Sequence, residues 1–510
     1  MLIKRIAMVV LQLGIIALPV MIAVLLLRVH LQVDPARYVP VEPNDSTVYW
    51  LQIQSFTAAG FNGGYFTWAE QPAAAVFTHF YTWGPAFPAL YGSIGQVIGW
   101  QYWTLPLLNT LVITAALAIF LTASQWMPRQ LLLLAVLLVI FYPIHFFLTS
   151  GRQESLHHAF ALLLALPCVR TVDQGANMPR REVIAIIALI LFAGLFRITW
   201  SLILLPLLLI TAERRRRSLI LALVQALVLI GLSAAVYRVT SAPFPNFLSR
   251  FLAALGDAPG EALILFIDHA INNLESIGQY APMWNLPTYL ALILTGGAAM
   301  FLMWHWRHPP AEALFHLFNL GAILLTAIFV YEIREHLGFR ILSSHVLLSL
   351  LVLLVYQRWR ILLGVTAFSL LFMPSFFTVY GSVRIQDYRV DTVEIERFRE
   401  QTAHLLDDSA AASGWCRTVL LKLGDEPDAR SEFSIPREVL GLPPTFGFSF
   451  LMRPNDLDDH PKSRYLLLSD ETYARLDSRL TRRHDRGLNT RALMTTSAGV
   501  LYENLETACE

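Results

Sequence analysis

The chain has 510 residues, of which 55% are hydrophobic and only 15% are charged, and its formal net charge is +1. This composition excludes an intrinsically disordered chain, because disorder needs low hydrophobicity and high charge. A soluble globular domain carries about 25% charged residues, so the composition also argues strongly against a soluble enzyme. The near-neutral charge gives no global basic field that would attract nucleic acid. Most of the chain must therefore lie in lipid.

Ten apolar segments are long enough to span a membrane, which takes roughly 20 mostly apolar residues. Segment 183–211 is too long for one simple span and is interrupted by Arg197, so we predict a hairpin of two helices with its tip outside. Segment 84–100 is rich in glycine and proline, which predicts an interfacial or re-entrant helix. This interpretation gives about 11 transmembrane helices. The ten segments are 6–27, 103–123, 130–149, 155–171, 183–211, 218–240, 283–304, 311–330, 338–356 and 360–379.

The distribution of basic residues sets the orientation of the spans. Lys4 and Arg5 place the N-terminus in the cytoplasm, which leaves 28–102 as a large first outer loop. The run Arg214–Arg217 is expected inside. An alternative, in which 84–100 crosses and 183–211 is one span, also gives eleven spans, but it leaves further arginines outside. Those arginines are Arg170, Arg180 and Arg181.

The expected compartment follows from composition and sorting signals. Only 3 of the 38 basic residues are lysine, which suggests a GC-rich genome, and no eukaryotic sorting signal is evident. These features favour the inner membrane of a bacterium, with the N-terminus in the cytoplasm.

Residues 381–510 differ in composition from the rest, with charged and turn residues between short apolar runs. A helix is predicted over 394–406, and short strands are predicted over 418–423, 465–468 and 500–503. We therefore divide the chain into a transmembrane domain, 1–380, and a small extracytoplasmic α/β domain, 381–510. Cys416 and Cys509 either pair in an oxidising compartment or are two free thiols.

Asp45 is a candidate catalytic residue in the first outer loop. It lies just outside a predicted span and ahead of the amphipathic segment 48–56. A carboxylate held near the bilayer surface can act as a general base toward an acceptor hydroxyl. The more common role of an aspartate at such a place is to cap a helix, and both interpretations stay open.

Arg152, Glu154, His157 and His158 form a second candidate stretch at a span boundary. Ionisable residues at such a place are costly in lipid and are therefore functional candidates. Glu154 could assist Asp45 or help to hold a metal ion, and Arg152 could contact a phosphate bidentately. The alternative is a capped helix start whose charged side chains snorkel to the surface.

A third candidate stretch, 331–340, lies between two predicted spans on the same outer face. Arg340 is at the head of the following helix, where the partial positive charge also favours an anion. We interpret it as a site for a lipid phosphate, whereas an ion-paired surface loop is the alternative. In the outer loop 241–282, Leu263, Ile267 and Ile271 recur at helical spacing and predict an interfacial helix.

Taken together, these residues resemble the GT-C superfamily of polytopic glycosyltransferases, such as protein O-mannosyltransferases and lipid A aminoarabinose transferases. Asp45 matches the acidic residue that follows the first span in that family. The stretch Pro85–Tyr91 loosely matches a later proline-rich motif, and Glu154 matches the second acidic site. The hairpin 183–211 and the late outer Arg340 also have counterparts.

The chain departs from the family pattern at two positions. Many relatives have Asp-Glu at the first site, where this chain has Asp45 followed by Ser46. The second site is often aspartate, where this chain has Glu154. The resemblance covers residues 1–380 and depends on the order of these features rather than on one motif.

The resemblance implies a membrane glycosyltransferase with a polyprenyl-phosphate-linked sugar donor and a lipid, glycan or protein acceptor. Asp45 and Glu154 would be catalytic, with Asp45 as general base in an inverting transfer. Arg340 and Arg152 would bind the donor phosphate. No metal ligand and no cofactor are assigned, and a divalent metal ion is compatible with the site. The candidates for lining the substrate cavity are His79, Tyr81, His157 and Glu335.

Two other classes of function fit the composition. A transporter or flippase would bury ionisable residues near the bilayer midplane and often shows inverted repeats, whereas here the charges cluster at the outer boundary. A noncatalytic scaffold that displays the C-terminal domain would tolerate the loss of Asp45 and Glu154.

Overall fold

The computed structural model is largely helical and describes most of the chain. The residues between the described ranges include His79, Tyr81 and Glu335, so these three predictions lie outside the described residues. The described ranges are 2–34, 38, 45–63, 66–71, 80, 84–101, 103–213, 215–242, 247–331, 336–388, 392–403, 414–422, 437–451, 457, 459–496 and 499–507.

The first three quarters of the chain form helices, in agreement with the hydropathy pattern. Short π-helical and 3-10 turns extend or separate some of them. The helices are α1 Leu2–Leu25, α2 Asp45–Ala59, α3 Ala86–Ile98, α4 Thr104–Thr122, α5 Pro128–Ile140, α6 Pro143–Leu148, α7 Glu154–Gln174, α8 Arg180–Phe196, α9 Leu204–Thr211, α10 Arg216–Thr240, α11 Phe247–Asp257, α12 Pro259–Ser276, α13 Pro282–Trp304, α14 Ala311–Phe329, α15 His336–Val355, α16 Trp359–Leu370 and α17 Met373–Tyr388.

Among the described residues, seven helices are long and apolar enough to cross a membrane, and the bent pair α16–α17 makes up to eight. The prediction of a multi-pass helical protein is confirmed at this level. In the most apolar stretch of α15, 94% of the residues are buried, whereas in the corresponding stretch of α10 only 11% are buried. Helix α15 is therefore central, and α10 faces outward. The seven are Ile6–His30, Thr104–Thr122, Glu154–Asn177, Arg216–Thr240, Pro282–Trp304, Ala311–Phe329 and Gly338–Val355.

Two predicted spans are broken where proline begins a second helix. Segment 130–149 divides into α5 and α6, and Pro143 is the first residue of α6. Segment 360–379 divides into α16 and α17, which meet at an angle of 51° with Pro374 in the first turn of α17. Proline has no N–H to donate and clashes with the preceding turn, so it favours a break in the helix at these two positions.

Segment 183–211 forms the hairpin that the sequence predicts. Helix α8 ends at Phe196, Arg197 is extended, and a 3-10 turn at Ile198–Ile203 leads into α9. Near the other end of the hairpin, a Cβ atom at Gly175 would lie 3.5 Å from the carbonyl oxygen of Ile210. Since Gly175 shortly precedes α8 and Ile210 is near the end of α9, the segment returns to the side from which it started.

The segment predicted not to cross forms α3, a helix of 13 residues. At a rise of about 1.5 Å per residue it is roughly 20 Å long, shorter than the ~30 Å hydrocarbon core. It packs closely on α2, because a Cβ atom at Gly92 would lie 2.8 Å from the ring of Phe56. In the loop 241–282, helices α11 and α12 expose apolar side chains, which agrees with the predicted interfacial helix. Those on α12 include Leu263, Ile264, Ile267, Ile271 and Leu274.

The C-terminal part forms two helices and five strands of a six-stranded sheet. Strands β2, β4 and β6 confirm the three predicted strands, and α18 corresponds to the helix predicted over 394–406. Strands β3 and β5 and helix α19 were not predicted. The elements are α18 Thr392–Ala403, β2 Thr418–Lys422, β3 Gly447–Phe450, β4 Tyr465–Leu468, α19 Asp470–His484, β5 Thr490–Thr496 and β6 Gly499–Asn504.

The sheet takes its sixth strand from the loop 28–102, which was predicted to lie outside. Strand β1, Phe66–Trp68, pairs in parallel with β3, and the strand order is β1-β3-β2-β4-β6-β5. Just after β1, the main-chain N–H of Ala69 donates to the carbonyl oxygen of Phe450 at 2.8 Å. A domain that begins at residue 381 therefore lacks one strand, which the loop 28–102 supplies.

Glu70 is the second residue after β1, and its hydrogen bonds connect the loop 28–102 to the sheet. Its side chain is buried, and its carboxylate accepts hydrogen bonds from the main-chain N–H groups of Lys462 at 2.6 Å and Ser463 at 2.9 Å. The hydroxyl of Ser463 donates a third bond, and the N–H of Glu70 donates to Ser449 Oγ at 2.8 Å. Burial raises the pKa of this carboxyl, while the hydrogen bonds favour its charged form.

Candidate functional site

Asp45 is the first residue of α2, and only its main chain is among the described features. The next two side chains, Ser46 and Thr47, are buried. An aspartate at a helix start fits a capping residue as well as it fits a base near the membrane surface. Its role as general base therefore stays a prediction.

Glu154 lies at the centre of a buried cluster of charges. Its side chain is 1% exposed, and its Oε1 atom accepts hydrogen bonds from Arg340 Nε at 2.6 Å and Arg197 Nη2 at 2.8 Å. Its Oε2 atom has no hydrogen-bond partner among the described residues. The carboxylate thereby joins three elements: the start of α7, the break after α8 and the second turn of α15.

Arg197 was predicted at the tip of the hairpin, but its partners were not. The extended main chain at this residue directs it toward α15, where its Nη1 donates to the carbonyl oxygen of Arg340 at 3.2 Å. Its side chain is 4% exposed. Together with the bond to Glu154, this contact fixes the hairpin tip on two other helices. An arginine inside an apolar segment was the only sequence signal for this role.

Arg152 completes the cluster from the turn that precedes α7. It is 4% exposed, and it interacts electrostatically with Glu154 two residues later. Its main-chain N–H donates to Ser150 Oγ at 3.2 Å. Three described arginines thus surround one described carboxylate, and such a site favours an anion with several oxygen atoms.

The turn before Arg152 is connected by hydrogen bonds to α3, the helix that contains the proline-rich stretch, through Asn109 of α4. Tyr91 in α3 donates to Asn109 Oδ1 at 3.0 Å, and Asn109 Nδ2 donates to the carbonyl oxygen of Ser150 at 2.9 Å. All three side chains are buried. The stretch Pro85–Tyr91 therefore reaches the candidate site through one asparagine, a connection that its sequence does not reveal.

A second polar layer lies one helical turn deeper. Trp200 Nε1 donates to His157 Nδ1 at 3.0 Å, and the Trp200 ring stacks on His345 with ring centroids 4.8 Å apart. His345 Nδ1 is 2.8 Å from Asn319 Oδ1, and His158 Nε2 is 3.0 Å from Ser343 Oγ. His157, predicted to line a substrate cavity, is fully buried in this layer. Sequence reasoning missed its partners.

The described residues around Glu154 do not include a group of three metal-ligand side chains. In the described part of the chain, one such group is found, at Asp459, His460 and His484 in the C-terminal part. The side chains of Asp45 and Glu335 are outside the described residues. Whether the site around Glu154 binds a metal ion therefore stays untested.

The cysteines divide between the two parts of the chain. Cys416 is disulfide-bonded, and Cys168 in α7 is a buried free thiol. Cys509 lies outside the described residues. A disulfide is typical of an oxidising compartment.

Comparison with known proteins identifies no relative of this chain among family models and curated proteins. No protein-family model matches the chain, and no curated protein is significantly similar to it.

Proposed function

We propose that the chain is a polytopic glycosyltransferase of the GT-C kind that uses a polyprenyl-phosphate-linked sugar. The observation that carries this proposal is the convergence of Arg152, Arg197 and Arg340 on Glu154. Each guanidinium has five N–H donors in a fixed fork, and Glu154 accepts one from Arg197 and one from Arg340. A donor phosphate is the anion that such a set of forks recognises.

The pairing of β1 with β3 supports the topology that this function needs. The first outer loop and the C-terminal sheet must lie on one side of the membrane, so an even number of spans separates them. Six of the seven long helices follow α3, and the bent pair α16–α17 brings the number of spans there to seven, which is odd. Adding α5–α6 as one broken span and the hairpin as two gives ten. With the first helix this makes the eleven spans of the prediction.

This topology puts the whole charge cluster on the outer side. Following the chain from the first outer loop, the start of α7, the hairpin tip and the start of α15 all lie at the outer ends of their spans. Arg358, which pairs with Glu312 beyond the other end of α15, falls on the cytoplasmic side. The disulfide at Cys416 is in accord with an extracytoplasmic C-terminal domain in a bacterial inner membrane.

In the proposed reaction, Asp45 takes the proton of the acceptor hydroxyl as its oxygen attacks the anomeric carbon. The bond between that carbon and the phosphate oxygen breaks, its electron pair leaves with the polyprenyl phosphate, and the configuration inverts. Arg340, Arg197 and Arg152 stabilise the negative charge that develops on the leaving phosphate. The contacts of Glu154 favour a positioning role, in which it holds two of the arginines in place.

A transporter remains the second candidate, and the polar layer of His157, Trp200 and His345 is the observation that favours it. This layer leads from the charge cluster toward the interior of the helix bundle, and buried polar chains of this kind carry protons or ions in transporters. A transporter would move the lipid-linked substrate without forming a glycosidic bond.

Binding of polyprenyl monophosphate tests the proposed site directly. The full chain in nanodiscs is titrated with a fluorescent polyprenyl monophosphate, comparing wild type with Arg340→Ala and Arg197→Ala. We expect each variant to bind at least about tenfold more weakly, because a lost charge-assisted bond is worth roughly 1.5–3 kcal/mol. Arg358→Ala is the matched control, since it removes an ion-paired arginine at the far end of α15.

Equal binding by all four proteins would refute the phosphate site. Transfer of radiolabelled sugar from polyprenyl-phosphate hexoses and pentoses then separates the two candidates. A transferase forms a glycosylated acceptor, whereas a transporter moves the intact donor between leaflets of a proteoliposome.

A further inference from the structure

We propose that Asp459, His460 and His484 form a zinc site in the C-terminal domain, a property independent of the proposed transfer reaction. One ligand atom from each of the three side chains lies within 4.8 Å of the other two. The residues come from two elements. Asp459 and His460 lie in the turn before β4, and His484 is the last residue of α19.

The distances between these groups fit a shared ion better than they fit direct hydrogen bonds. His460 Nδ1 is 3.7 Å and His484 Nε2 is 3.8 Å from the same oxygen, Asp459 Oδ1. Hydrogen bonds between such atoms are about 2.7–3.2 Å long. Around a tetrahedral zinc ion with bonds of about 2.0–2.1 Å, neighbouring ligand atoms are roughly 3.3–3.4 Å apart. Small side-chain rotations would close the remaining gap.

The exposure of these side chains leaves room for that adjustment, although Asp459 Oδ1 also accepts the main-chain N–H of His460 at 2.9 Å. The Asp459 side chain is 76% exposed and the His484 side chain 30% exposed. The Nε2 atom of His460 is buried and has no hydrogen-bond partner among the described residues, so no bond at that atom fixes the ring. The imidazole rings of His460 and His484 are 5.2 Å apart and tilted by 55°, which lets both face one point.

The ligand types favour a transition metal over magnesium and calcium. Two imidazoles and one carboxylate are a borderline set that suits zinc, whereas magnesium and calcium prefer oxygen ligands alone. With three protein ligands the fourth position is left for water. Because the group is at the surface, the ion can enter from solution.

The turn that contains Asp459 and His460 continues into residues that bind the first outer loop. Lys462 and Ser463, which donate to the carboxylate of Glu70, follow His460 by two and three residues. An ion that ties this turn to the end of α19 would restrict the segment to which β1 is fastened. Zinc should therefore slow hydrogen exchange in residues 459–463.

The test uses the full chain in detergent, stripped of metal with a chelator and titrated with Zn²⁺ in competition with a chromophoric chelator. We expect one tightly bound zinc ion per chain. His460→Ala and His484→Ala should each weaken binding by about tenfold or more, since even residues outside the ligand set change metal affinity 10–100-fold. His308→Ala, an exposed histidine between α13 and α14, is the matched control.

Substitution with Co²⁺ gives a second readout that does not depend on enzyme activity. Wild type and His308→Ala should show the d–d absorption of a cobalt ion with nitrogen ligands, and His484→Ala should lose it. The proposal is overturned if wild type retains no Zn²⁺, or if His460→Ala and His484→Ala bind it as tightly as wild type. In either case the three residues are an ordinary surface ion-pair group.

Discussion

The carboxylate of Glu154 lies 2.6 Å from the guanidinium of Arg340, although 186 positions separate the two residues in the chain. The same oxygen accepts a hydrogen bond from Arg197, so one side chain at the start of α7 fixes two others, one on α15 and one at the break after α8. An ion-paired cluster of this kind, buried at the end of a helix bundle, links the stability of the fold to its candidate site.

Removal of the central carboxylate should destabilise the protein strongly. Glu154→Ala leaves two buried arginines without their shared partner, and breaking a buried pair in this way costs about 3–5 kcal/mol. The midpoint of thermal unfolding of the full chain in detergent measures the loss. Glu312→Ala removes the partner of the half-exposed Arg358 and should cost only about 0–1 kcal/mol. Similar losses in both variants would contradict a central role for Glu154.

The polar layer beneath the cluster gives a second prediction. Trp200→Phe keeps an aromatic ring against His345 but removes the N–H that donates to His157 Nδ1. We expect a loss of about 1–3 kcal/mol in unfolding free energy, because a buried nitrogen is left without its donor. The matched control is Trp304→Phe, at a tryptophan that is 84% exposed at the end of α13. An unchanged unfolding midpoint in Trp200→Phe would mean that the hydrogen bond is not made.

The sequence predicts the helices better than the contacts between them. Hydropathy locates the spans because it depends only on local composition, and a 29-residue apolar segment interrupted by Arg197 predicts a hairpin. The pairing of Arg197 with Glu154 depends on how α7, α8 and α15 pack, which no local pattern records. The break at Pro143 could have been predicted, because proline after an apolar run usually ends a helix.

The sheet shows the same limit more clearly. Strands β2 and β4 are apolar runs between turn residues and were predicted. Strand β1 has only three residues, and Phe66 pairs with Phe448, 382 positions later in the chain, so length and periodicity give no signal for it. Glu70 was not considered for the same reason, because only the folded sheet places Lys462 and Ser463 around its carboxylate.

Loss of the Glu70 carboxylate should release β1 from the sheet. Glu70→Ala leaves the main-chain N–H groups of Lys462 and Ser463 without this acceptor, at a cost of about 1–3 kcal/mol for the buried N–H of Ser463 and less for the partly buried N–H of Lys462. We expect faster hydrogen exchange in 66–70 and 447–450, while β5 at the opposite edge is unchanged. Glu506→Ala, at a residue beyond β6, is the control. Unchanged exchange in both segments would show that the strand pairing does not need Glu70.

The proposed topology can be tested with single cysteines at exposed positions on the two sides. Gln279→Cys lies between α12 and α13 and should react with a membrane-impermeant maleimide added outside intact cells. His308→Cys lies between α13 and α14 and should react only after the membrane is opened. A protein without added cysteines gives the background, which includes any reaction of the buried free thiol of Cys168. The reverse pattern would invert the arrangement and place Glu154 and Arg340 on the cytoplasmic side.

The final prediction concerns the general base. Asp45→Asn keeps the size and hydrogen-bonding capacity of the side chain, and asparagine caps a helix about as well as aspartate does. If Asp45 only caps α2, the variant should transfer sugar at nearly the wild-type rate. If it removes the acceptor proton, transfer should fall by roughly 10²–10⁴-fold while polyprenyl monophosphate binding is unchanged. Asp34→Asn, which alters an exposed ion pair with Arg28 at the start of the same loop, should leave the rate unchanged.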